Sequence, residues 1–112
     1  MKKIEAIIRS SKLEDVSEGL SNIGVKFFTF FEVKGHGMEK PSEITYRGVP
    51  YDSGYIPRTK LELVVDDITV DSAVKVIMDM ARTGRIGDGK VIITDVQGFM
   101  RIRTGESGHD AL

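Results

Sequence analysis

Apolar and polar residues alternate at the start of the chain. From Lys3 to Arg9, Ile4, Ala6 and Ile8 fall on one face, and Lys3, Glu5, Ile7 and Arg9 on the other. That is the period of a half-buried strand, with Ile7 the one apolar member of its polar face. The period then lengthens. Ser11 followed by Glu14 has the form of a capping box, and Leu13, Val16, Leu20 and Ile23 recur at helical spacing up to a stop at Gly24. Val25 to Val33 is apolar on both faces and holds Phe27, Phe28, Phe30 and Phe31. This predicts a strand covered on both sides, its phenylalanines packed in the core and one cover supplied by another subunit. Lys60 to Val65 alternates again: Leu61, Leu63 and Val65 oppose Lys60, Glu62 and the apolar Val64. Val70, Ala73, Val74, Ile77 and Ala81 mark a second amphipathic helix, with Gly84 as its stop. Strands are expected at Lys90 to Val96 and, shorter, at Phe99 to Thr104, before a polar tail over 105–112.

Between 35 and 57 every pattern breaks. Gly35, Gly37, Pro41, Gly48, Pro50, Gly54 and Pro57 exclude a long regular element. A connection of that length in a small domain is either functional or disordered, and disordered linkers are poor in aromatics. It carries Tyr46, Tyr51, Tyr55 and Arg47, residue types favoured as interface anchors, and reads as a mobile recognition arm; a hairpin tip packing its own tyrosines is the simpler alternative. The order strand, helix, strand, long loop, strand, helix, strand predicts one domain over 1–112, an α+β ferredoxin-like βαββαβ sandwich. Two helices would cover one face of an antiparallel sheet. The other would carry Ile7, Thr29, Glu62 and Val64, so an oligomer is expected to cover it.

The candidate chemistry lies in Arg82-Thr83-Gly84-Arg85-Ile86-Gly87-Asp88-Gly89-Lys90. Glycines let several backbone amides face one point, and a lysine at the rim adds charge, a combination suited to phosphate. If Arg101 and Arg103 lie on a strand they share a face, and with Lys90 they would supply three cations to a triphosphate. Gly84, Gly89 and Lys90 also fit a P-loop spacing. Val91 follows where Ser or Thr is needed, and a helix precedes the glycines where a strand should, which argues against that motif.

Composition narrows the classes. The chain has 112 residues, 40% hydrophobic and 29% charged, with net charge −1 and no cysteine. These values fit one soluble domain, disfavour nonspecific nucleic-acid binding and exclude thiolate metal sites. No metal-ligand spacing is present, no apolar run reaches membrane-span length, and Met1-Lys2-Lys3-Ile4-Glu5 is too charged for a signal peptide. A cytoplasmic protein is expected.

Several segments together resemble the PII signal-transduction family of nitrogen regulation. They are Met1 to Arg9, Glu32-Val33-Lys34-Gly35-His36-Gly37, Tyr46-Arg47-Gly48 with Tyr51, Thr83 to Lys90, and Arg101 to Glu106. The resemblance spans essentially the whole chain. It implies a non-enzymatic homotrimer with ATP or ADP, with Mg2+ as a possible companion, in each cleft between subunits. By analogy, Ile7 and Val64 would bury the adenine, with Thr29 and Glu62 lining the same cleft. Gly87, Asp88, Gly89 and Lys90 would hold the phosphates with Arg101 and Arg103. Gly35, His36, Gly37 and Met38 would lie at the base of the long segment, the family's T-loop, where it passes the phosphates. The resemblance also implies a partner, an ammonium transporter engaged through Tyr46, Arg47 and Tyr51. This would bring the protein to the membrane without inserting it. A soluble enzyme of nitrogen or carbon metabolism is the alternative target.

The departures from the family pattern are local. Ser10-Ser11 replaces Pro-Phe, Met38 a basic residue, Glu39 a glutamine that helps hold Mg2+ and 2-oxoglutarate, and Arg58 a lysine that contacts 2-oxoglutarate. Val49-Pro50 alters the approach to Tyr51, the family's modification position. Glu39 lacks the amide donor and carries a charge that repels a dicarboxylate. Weak or absent synergy between 2-oxoglutarate and ATP is therefore expected, and a sensor of adenine nucleotides alone is a second alternative.

Overall fold

The computed structural model describes residues 1–37, 45–46, 49–50 and 55–112. The elements are β1 (Lys2–Ile8), α1 (Leu13–Asn22), β2 (Thr29–Gly35), β3 (Thr45–Tyr46), β4 (Val49–Pro50), β5 (Ile56–Val65), α2 (Asp67–Ala81) and β6 (Lys90–Asp95). Four strands form one antiparallel sheet in the order β2-β5-β1-β6, with β1 and β5 central. The arrangement is the expected ferredoxin-like one. β3 and β4 pair with each other, Thr45 with Pro50 and Tyr46 with Val49, so a short hairpin forms inside the segment read as irregular. Met38, Glu39, Arg47 and Tyr51 lie outside the described residues.

The core sits between the sheet and two helices. Ile4, Ala6 and Ile8 of β1 and Leu61, Leu63 and Val65 of β5 meet Val16 and Leu20 of α1 and Ala73, Ile77 and Ala81 of α2. Every one of these positions follows from the alternation and the helical stripes. Burying each of the larger aliphatic side chains contributes about 1.5–3 kcal/mol before chain entropy. Gly24 stops α1 as its position suggests. At φ 88 it lets its own N–H reach Ser21 O (3.0 Å) and lets the Val25 N–H reach Leu20 O (3.0 Å), the paired bonds of a Schellman cap.

Several local expectations are corrected. The capping box does not form: Ser10–Lys12 make a 3₁₀ turn ahead of α1, and no side chain caps the helix. The Ser10 hydroxyl instead accepts a 2.8 Å bond from Thr59 of β5. β2 starts at Thr29 rather than Val25 and is an edge strand. Phe28 packs on the core, but Phe27, Phe30 and Phe31 are exposed in the chain. β2 and β5 also run further than expected, pairing through Gly35 and Ile56. Proline is tolerated at Pro57 because β1 reaches no further than Thr59, leaving β5 there with a neighbour on one side only.

α2 ends at Ala81, not at Gly84; Arg82 already has extended backbone at ψ 131. Phe99 to Thr104 is not a strand. One bridge joins Met100 to Ser107, and Arg101 N–H to Glu106 O and Gly105 N–H to Arg101 O close a tight turn between them. The polar tail docks as well. Gly108–Ala111 form a 3₁₀ turn that buries Ala111, and His109 Nδ1 lies 2.5 Å from Asp66 Oδ2.

Candidate functional site

The glycine-rich segment leaves α2, turns, and enters β6. Its organiser is Asp88. That carboxylate accepts bonds from Thr83 N and Gly84 N at 2.8 Å each, from the Thr83 hydroxyl at 2.5 Å and from Arg9 Nε at 3.3 Å. These donors, the Thr83 hydroxyl foremost, hold the Asp88 carboxyl well below the usual carboxylate range. Arg9 also donates to Ile86 O at 2.9 Å, and Arg58 Nε to Gly87 O at 3.2 Å.

Gly89 presses directly on β1. A Cβ there would stand 1.6 Å from Ile7 O, and its φ is +100. Only glycine satisfies both conditions. The loop is thereby seated against β1 as it passes Lys90 into β6, where Lys90 pairs with Ile7.

The helix-free face of the sheet is laid out in rows by the register. One row runs Phe31, Lys60, Ile7, Lys90; the next runs Thr29, Glu62, Glu5, Ile92; the third holds Val64, Lys3 and Thr94. Charges alternate across the middle. Lys3 Nζ contacts Glu5 (2.8 Å) and Glu62 (3.6 Å), and Lys60 Nζ contacts Glu5 (3.3 Å) and Glu62 (3.7 Å). Hydrogen bonds from Lys3 and Lys60 lower the Glu5 pKa, and the Glu5 bond raises that of Lys3. Lys60 also lies 5.7 Å over the Phe31 ring. Ile7, Thr29, Glu62 and Val64 thus share this face. Ile7 pairs with Lys60, however, four residues along β5 from Val64, a separation of about 13 Å.

The three proposed cations do not converge in one chain. Arg101 is half-buried and occupied: Nη1 reaches Glu106 at 3.4 Å, and Nη2 donates to the carbonyls of Ala111 and Leu112 at 3.3 and 3.2 Å. Arg103 lies in the exposed turn. Because the segment is a turn and not a strand, the shared face assumed for the two arginines is absent. Among the described residues, no hydrogen bond or ion pair joins either of them to the glycine loop.

Comparison with known proteins settles the family. The family model for nitrogen regulatory protein P-II matches residues 1–106. The chain is 48% identical over 112 residues to a protein of Pasteurella multocida named nitrogen regulatory protein P-II, each chain covered in full. Proteins of the same name from Azospirillum brasilense and Haemophilus influenzae are each 47% identical, again over both full lengths. The chain belongs to the PII family. Members of that family are signal-transduction proteins and not enzymes, and this PII chain is one of them.

Within this PII protein, Gly87, Asp88, Gly89 and Lys90 form one continuous loop. The Asp88 side chain turns inward as a structural anchor. Gly35 ends β2, and His36 and Gly37 follow it, all three exposed. Arg58 lies on β5 against the glycine loop, and Tyr46 is in the β3–β4 hairpin. Sequence reasoning gave Arg9 and Thr83 no role in the site, although Thr83 lies in the candidate stretch. The signal for Thr83 was its five-residue spacing from Asp88 across a glycine turn; for Arg9 nothing local revealed it. No cluster of three or more potential metal ligands occurs among the described residues, and no described helix is long and apolar enough to cross a membrane.

Proposed function

We propose that this chain is a trimeric nitrogen-regulatory sensor that binds ATP or ADP in clefts between subunits and controls a target through the segment between β2 and β5. The observation that carries the reading is the Asp88-anchored glycine loop, seated on β1 with Lys90 at its rim and opening beside the sheet face that holds Ile7, Thr29, Glu62 and Val64. A cleft between subunits is favoured because one chain keeps Ile7 away from Val64 and the glycine loop away from Arg101 and Arg103. Packing two copies supplies the missing halves. The half-exposed Phe31 and Ile92 on that face give the packing an apolar component.

The family relatives bear the name of nitrogen regulation, and the target we assign is an ammonium transporter, with Arg47 as its principal anchor. Guanidinium donates several bonds in a fixed fork, and three copies of the arm in one trimer gain from effective concentration. Cytoplasmic residence and recruitment to the membrane through the transporter follow from that assignment. Mg2+ would accompany the triphosphate, and 2-oxoglutarate would add little because of Glu39.

Calorimetric titration with ATP, ADP and AMP, each with and without 2-oxoglutarate, tests the nucleotide site. Saturable ATP or ADP binding is expected, weakened about tenfold or more by Arg103→Ala, the loss of one charge-assisted phosphate contact. Failure of the wild-type protein to bind any adenine nucleotide would overturn it. A pull-down from membranes with wild-type and Arg47→Ala protein tests the target. Capture of a soluble enzyme in place of a transporter would redirect the assignment.

A further inference from the structure

We infer that Arg9 and Arg58 are positioning residues for a phosphate nest in the glycine loop: they hold two consecutive loop carbonyls and so decide which way the intervening amides face. This rests on the nucleotide reading above. Arg9 stands just past the end of β1 and donates to the Ile86 carbonyl at 2.9 Å while also bonding Asp88 at 3.3 Å. Arg58 lies near the start of β5 and donates Nε to the Gly87 carbonyl at 3.2 Å, with Nη1 on Pro57 O at 2.9 Å.

In a trans peptide the C=O and N–H point in opposite directions. The Ile86 carbonyl turned toward Arg9 therefore turns the Gly87 N–H away from it. The Gly87 carbonyl held by Arg58 does the same for the Asp88 N–H. Gly87 and Gly89 stand at φ 104 and 100, a backbone in which successive amides gather around one anion. The loop's amides are divided in consequence. Those of Thr83 and Gly84 are spent inward on the Asp88 carboxylate; those of Gly87 and Asp88 face out beside Lys90. Neither arginine has to touch the phosphate to matter.

Arg58 adds a consequence for signalling. It is the third residue of β5, the strand that leads directly out of the 36–55 segment. The geometry at the start of that strand and the orientation of the nest share one side chain. A hydrogen bond is lost beyond about 3.5 Å, so a small shift of the strand end releases the Gly87 carbonyl. Arg58 thus ties the start of β5 to the facing of the nest.

The experiment uses the full-length protein with Arg9→Met, Arg9→Lys and Arg58→Met. Each is titrated with ADP and with adenosine, and amide exchange over 84–90 is followed by mass spectrometry. Expected is a loss of about tenfold or more for ADP in both methionine variants, unchanged adenosine affinity, and faster exchange confined to the loop. Arg9→Lys should recover only part of the loss, since an ammonium lacks the planar fork whose separate nitrogens reach Asp88 and Ile86. Equal losses for ADP and adenosine would show general disruption and overturn the positioning role, as would wild-type ADP affinity in the variants. If the wild-type protein binds neither ligand, the nucleotide reading fails on its own. Loop exchange then judges the brace: faster exchange limited to 84–90 sustains it, and unchanged protection overturns it.

Discussion

Two residues of one loop show how narrowly a site can depend on single atoms. Gly84 and Gly89 both have positive φ, +87 and +100, yet a Cβ at Gly84 meets nothing within 4 Å while one at Gly89 meets the backbone of Ile7. Gly84→Ala should therefore cost only the left-handed penalty, about 1–2 kcal/mol. Gly89→Ala should cost more, because strand backbone cannot move aside, and should also abolish tight ADP binding. Thermal unfolding and titration of the two variants check this; equal behaviour would mean the loop is not seated on β1. Asp88 gives a pH prediction. Its folded pKa is depressed, so its contribution to stability is complete above the ordinary carboxylate range and is lost as pH falls toward the folded value. The stability gap between wild type and Asp88→Asn should stay constant from neutral pH down to the ordinary carboxylate range and narrow only below it. A gap in urea unfolding that does not change with pH would remove the carboxylate as the cause.

At the scale of elements, the two helices touch through Gly19. A Cβ there would lie 2.6 Å from Val76 Cγ1 and 3.5 Å from Met80. Alanine improves intrinsic helix propensity by about 1 kcal/mol, but overpacking costs about 1–3 kcal/mol, and the β-branched Val76 has little rotamer freedom with which to yield. Gly19→Ala should lower the unfolding midpoint, and adding Val76→Ala should recover most of the loss. Strict additivity in that double-mutant cycle would place the cost elsewhere. The element ends differ in how readable they were. Gly24 caps α1 because its bonds are made within six residues. Ser11 fails as a cap because the turn at Ser10–Lys12 is tied to Thr59, which no local pattern could indicate.

For the whole molecule, the prediction concerns assembly. The helix-free face carries a compact ladder of Lys3, Glu5, Lys60 and Glu62 with Phe31, Ile7, Val64 and Ile92 around it. Sedimentation equilibrium should give a mass three times that of the 12.4 kDa chain. Lys60→Glu would gather three carboxylates on adjacent strands and should shift the protein toward smaller species, less so at high salt, where the repulsion is screened. A monomer in the wild type would remove the intersubunit cleft, and with it the reason for bringing Arg101 and Arg103 to the glycine loop.

The alternation of β1 and β5 and the stripes of α1 and α2 were sufficient to determine the layers, the core and the ferredoxin-like order. Each depends on a short repeat that burial enforces locally. The glycine loop was likewise visible as candidate phosphate chemistry, because unusual backbone needs unusual residues. What the repeat could not contain was decided in three dimensions. Spacing alone puts Arg101 and Arg103 on one face of a strand, but Arg101 bonds Glu106 and the chain end within a turn. Asp88 lies in the loop expected to hold phosphate, and its carboxylate is the anchor of that loop. Arg9 reaches Asp88 across 79 residues, and Arg58 reaches the Gly87 carbonyl across 29. Such contacts arise only when the sheet brings strand ends together, because a side chain's partners are set by what the fold places beside it and not by what adjoins it in the chain.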